Sequence, residues 1–153
     1  MNSPIGTIQS QTGALTFTTQ NVPADITAIE RALTNPDVRV QRLAVRALGR
    51  LEQPAHAQLV VPFLHSGNPR VRMEALNALG QMGADVDLTP ALEAEKDPAL
   101  RAVLYETLGR LPQGTEEILL RGLNEGSLQT RIGAAKGLQC FYRLNSRTTK
   151  PSA

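Results

Sequence analysis

The chain has 153 residues, of which 41% are apolar and 20% charged, a balance that describes one globular domain able to bury a core. Only 3% are aromatic and none is Trp, so that core must be built from Ala, Leu and Val at close range, which suits packed helices. A net charge of +2 is too mild to define a nucleic-acid protein, and the single Cys140 excludes an internal disulfide.

Residues 1–23 form an uncharged leader rich in Thr, Gln, Ser and Asn, expected to be extended or disordered. It has no Lys or Arg and no unbroken apolar run, so it reads as neither a signal peptide nor a membrane span. From residue 24 the composition changes to Ala, Leu, Arg and Glu at helical spacing, and the pattern then repeats up to residue 145. The segment VQRLAVRALGRL (40–51) recurs as VRMEALNALGQM (71–82), LRAVLYETLGRL (100–111) and TRIGAAKGLQCF (130–141). Ala44, Ala75, Leu104 and Ala134 fall four residues after each opening residue, and Leu48, Leu79, Leu108 and Leu138 fall at eight. This is the apolar stripe of a helix. Asn35, Asn68, Asp97 and Ser127 are candidate N-caps, and Pro36, Pro69 and Pro98 would occupy the first helical turn.

A shorter helix is expected before each of these, carrying Ile26, Ile29 and Leu33, then Val60, Phe63 and Leu64, then Leu88, Ala91 and Leu92, then Leu119, Leu120 and Leu123. A two-helix unit cannot bury both of its faces, so four hairpins must stack. The expected fold is all-α, a right-handed α-solenoid over 24–145 followed by a polar tail, 146–153.

The pattern D/N-P-x-V-R-x-x-A-x-x-A-L-G, seen as NPRVRMEALNALG at 68–80, resembles the HEAT-like repeats of the phycobilisome-lyase type. The fourth unit departs from it, with Thr130 in place of Val and Gln139 in place of the closing Gly. The resemblance implies that Arg72, Arg101 and Arg131 form an internal ladder tied to the preceding loops, with Gln41 leaving the first rung in doubt. It also implies that the second helices line a concave face. The resemblance implies enzymes as well as scaffolds. Metal-dependent hydroxylases of this type carry paired His-Glu motifs, whereas His56 and His65 are each followed by another residue and no HExxH occurs. Bilin lyases of the type join a chromophore to a partner's cysteine, and no further motif here marks that activity. Cys140 lacks a nearby His and reads as a free thiol. The acidic group Asp85, Asp87, Glu93, Glu95 and Asp97 lacks the spacing of a calcium loop and reads as a solvated face. No catalytic, metal or cofactor site is expected.

Positions three, six and ten residues after each opening residue lie opposite the apolar stripe. They hold Leu43, Arg46, Arg50, Glu74, Asn77, Gln81, Val103, Glu106, Arg110, Gly133, Lys136 and Cys140, and all but Gly133 and Cys140 are taken as the residues that would read a partner. Second-helix segments 37–51, 69–82, 98–111 and 127–143 together carry +8, and first-helix segments 25–34, 55–65, 84–97 and 115–125 carry −7. The expected activity is therefore non-catalytic scaffolding of a protein partner with an acidic surface, without a membrane. A nucleic-acid backbone is the alternative, with a lyase-type subunit behind it. Ile132, Ala135, Phe141, Tyr142 and Leu144 leave the last helix apolar, so self-association or further repeats are expected at that end.

Overall fold

The structure is a computed structural model that describes residues 26–147, so the readings of the 1–23 leader and of nearly all of the tail fall outside the described residues. Helices α1 (Ile26–Leu33) and α2 (Val38–Arg50) form the first hairpin, α3 (Ala57–Val60) and α4 (Pro69–Met82) the second. Helices α5 (Thr89–Ala94) and α6 (Pro98–Leu108) form the third, α7 (Glu116–Gly122) and α8 (Leu128–Ser146) the fourth. There is no strand among the described residues. The second helices α2, α4, α6 and α8 pack on one another in series, and the first helices lie against them as an outer layer. The protein is an α-solenoid, in which each hairpin buries what its neighbour leaves open.

The repeat columns explain the core. Ala44, Ala75, Leu104, Ala134, Leu48, Leu79, Leu108 and Leu138 are all buried, because the i+4 and i+8 positions share the face turned toward the neighbouring helices. The closing glycines meet the small residues of the next repeat: a Cβ added to Gly49 would lie 2.7 Å from the Ala78 Cα, and one on Gly80 3.4 Å from the Thr107 Cγ2. Thr130, which breaks the apolar column, is fully buried and donates its hydroxyl to the Pro98 carbonyl at 3.3 Å, so its polarity is satisfied within the stack.

Asn68, Asp97 and Ser127 cap α4, α6 and α8 through their side chains, as expected. The first cap differs. Asp37 accepts from the Arg39 amide and starts α2, whereas Asn35 accepts from the Asp37 amide one turn earlier, and Pro36 lies outside the helix. The 31-residue offset that relates Val40 to Val71 pairs Asp37, not Asn35, with Asn68.

The first helices are shorter and less regular than their apolar spacing suggests. Helix α3 lies between 3₁₀ turns at Pro54–His56 and Val61–His65, since Pro62 lacks the amide that would continue an α-helix. Before α5, Gly83 takes a left-handed φ of 59° that ends α4, and the helix begins only at Thr89, whose amide donates to Asp87. In the last hairpin Phe141 is half-buried against the core and stacks edge-on with Tyr142, so it is not part of the open end. Ile132, Ala135, Tyr142 and Leu144 are exposed.

Candidate functional site

Two sets of side chains stand out on this frame: a ladder along the hairpin loops, and the free face of the second-helix layer. In the ladder, Gln41 Nε2 donates to the Asn35 carbonyl at 2.8 Å and Arg72 Nη1 to the Ser66 carbonyl at 2.8 Å. Arg101 Nη1 donates to the Glu95 carbonyl at 2.8 Å, and Arg131 Nη1 to the Glu125 carbonyl at 2.9 Å. Every rung reaches six residues back to the loop that joins the two helices of its hairpin. Gln41 fills the first rung, against expectation, because a carboxamide offers the same N–H without the charge. Two rungs also reach forward: Arg72 Nε meets Glu95 Oε2 at 3.0 Å, and Arg101 pairs with Glu125. Asn35, Ser66, Glu95 and Glu125 share one repeat column, and the two of them that are carboxylates are the ones these arginines reach.

The acidic group read as one solvated face is divided among several tasks. Glu95 belongs to the ladder, Asp97 caps α6, Asp87 accepts from the Thr89 amide in the turn before α5, and Asp85 accepts from Gln113. Short polar side chains in loops bond local amides readily, and helical periodicity cannot show this.

Burial around Glu125 opposes its ionisation, but hydrogen bonds from Arg101 and Tyr105 outweigh it and hold the carboxyl below its ordinary value. The sign follows: a depressed folded pKa means stability that is complete above the ordinary carboxylate pKa and is lost as pH falls through the lowered one. Glu125→Gln is expected to flatten that part of the acid limb of a pH–stability curve. An unchanged acid limb in the variant would show that the network does not contribute.

The proposed stripe on the second helices divides in two. Leu43, Arg50, Asn77, Gln81 and Lys136 are exposed. Arg46 and Glu74 instead bind each other across α2 and α4, at 2.9 Å and 2.7 Å, and Arg110 pairs with Glu106 one turn away. Val103 and Cys140 are half-buried, and Gly133 is buried against the Ala102 backbone. In mid-stack the i+3 positions Glu74 and Val103 are half-buried, because consecutive second helices flank each other, while Asn77 and Gln81 of α4 stay exposed. Arg42, Arg70, Met73 and Ile132 line the same face and were not among the expected residues. The column two residues after each opening residue, holding Arg42, Met73, Ala102 and Ile132, is the sequence signal for three of them, and Arg70 lies outside it.

His56 is half-buried in its 3₁₀ turn and His65 is exposed. Among the described residues no group of three or more His, Cys, Asp or Glu could hold a metal ion, and no helix is long and apolar enough to cross a membrane.

The fold therefore defines the class: an α-solenoid of stacked helical hairpins with a half-buried ladder. Residues 26–94 match the family model of HEAT repeats. HEAT repeats generally mediate protein–protein interaction. No curated protein matches the chain.

Proposed function

We propose that this chain is a non-catalytic interaction module whose partner, a protein with an acidic surface, docks on the free face of the second-helix layer. The supporting observation is the composition of that face. Exposed Arg50 and Lys136 stand among exposed Leu43 and Ile132, while most of the acidic residues belong to the first helices and loops. Apolar area provides affinity and basic groups provide orientation and encounter rate. The resemblance of residues 68–80 to repeats of the phycobilisome-lyase type enters this reading through its architecture, not through lyase chemistry. A nucleic-acid backbone suits the face less well: phosphates would meet Glu74 and Glu106, and none of the stripe residues is an aromatic on which a base could stack.

Arg50→Glu with Lys136→Glu tests the reading. Arg46 is left intact because its loss would strand Glu74. The double variant is expected to weaken a partner isolated from native lysate by about tenfold or more, with an unchanged melting temperature. Equal affinity of wild type and variant would contradict docking on this face.

A further inference from the structure

The second-helix face contains two cavities that share Met73. One, of about 340 Å³, is walled by Pro69, Met73 and Leu100, with Arg42 and Arg70 at its rim. The other, of about 210 Å³, runs on over Ala102, Val103 and Ile132 to Lys136. Together they make a groove that crosses the helices with an apolar floor and a cation at each end. Two of its three acidic groups are ion-paired, Glu74 with Arg46 and Glu106 with Arg110, and the third, Asp97, accepts from the Ala99 amide at the start of α6. The buried Nε of Arg42 has no hydrogen-bond partner among the described residues, and a buried donor left so is costly unless something completes it.

We infer that this groove binds an acidic amphipathic peptide segment of the partner, with an apolar side chain seated between Pro69, Met73 and Leu100 and a carboxylate accepting from Arg42. A second carboxylate at the far end of the segment faces Lys136. The inference rests on the docking role proposed above and specifies its chemistry. Charge complementarity selects an acidic occupant: Arg42 and Arg70 outnumber Asp97 at one end, Lys136 is the charge without an ion pair at the other, and a basic segment would bring cations against all three. The apolar floor selects a peptide over a polyanion, since phosphate or sugar would gain nothing from covering Met73, Val103 and Ile132.

The test uses two displayed libraries of short peptides, one enriched in Leu, Met, Asp and Glu, the other with Lys and Arg in place of the acids. The acidic library is expected to yield saturable binders. Their affinity for the full chain, read by fluorescence anisotropy, should fall about tenfold or more in Arg42→Gln and in Met73→Glu, less in Arg42→Lys, and not at all in Gln58→Glu on the outer layer. Met73→Ala replaces Met73→Glu if the latter melts early. The inference is overturned if only basic peptides are selected, if no peptide binds, or if the selected acidic peptides ignore both groove substitutions. If the groove substitutions are silent while Arg50→Glu alone, outside the groove, still weakens the native partner, the groove assignment fails and the docking face stands. If both are silent, both fail.

Discussion

Gly109→Ala is expected to unseat the fourth hairpin, whereas Gly80→Ala, at the equivalent position one repeat earlier, is expected to be neutral or stabilising. A Cβ on Gly109 would lie 2.0 Å from the Gly137 carbonyl oxygen and 2.6 Å from the Gly137 Cα, so the collision is with backbone that no rotamer change can relieve. Gly133 and Gly137 make the same interface tight from the other side, with Cβ positions 2.3 Å from the carbonyls of Ala102 and Tyr105. Overpacking of this kind costs about 3 kcal/mol or more. At Gly80 the nearest atom is the Thr107 methyl at 3.4 Å, and alanine within a helix gains up to about 1 kcal/mol over glycine. Hydrogen exchange distinguishes the outcomes. In Gly109→Ala the amides of α7 and α8 should lose protection while those of α2 and α4 keep it, because stability in a solenoid is distributed over neighbouring interfaces. Full protection of α8 would mean that the two helices are not held this closely.

Leu79→Ala should lower the unfolding free energy by about 2–5 kcal/mol, since it deletes a side chain with no exposed surface from the middle helix of the stack. Leu128→Ala provides the control: that side chain is 64% exposed, and its removal should stay within about 0.5 kcal/mol. Urea titration of the two variants reads both values. Equal midpoints would place the core elsewhere than in the i+8 column.

The layer of second helices was legible because its signals are local and repeated. Ala44, Leu48 and their equivalents recur at fixed offsets, and Asn68, Asp97 and Ser127 mark where three of the helices start. The first cap was misplaced at Asn35 because the Asn-Pro pair resembles Asn68-Pro69 more than Asp37-Val38 does, although the repeat offset points to Asp37. First helices were less legible. Their lengths depend on Pro62, Gly83 and the Asp87 turn, each of which stops a helix that the apolar spacing alone would extend. The composition of the proposed docking face was legible in the sequence, but its contacts were not. Helical angle shows which residues face away from the core, but not that Arg46 reaches Glu74 on the next helix or that Gly133 is covered by Ala102. Those contacts depend on the separation of neighbouring helices, which is set by Gly49 against Ala78 for α2 and α4 and by Gly109 against Gly137 for α6 and α8, pairs distant in sequence.

The claim that the second-helix face is where a partner binds is tested most directly by site-specific photocrosslinking in native lysate. A benzophenone side chain placed at exposed Leu43 or Asn77 samples that face, and one at exposed Gln58 or Glu117 samples the first-helix layer. The account predicts the same protease-sensitive, nuclease-resistant adduct from Leu43 and Asn77, and none of it from Gln58 or Glu117. Adducts formed mainly from Gln58 and Glu117, or adducts removed by nuclease, would contradict it.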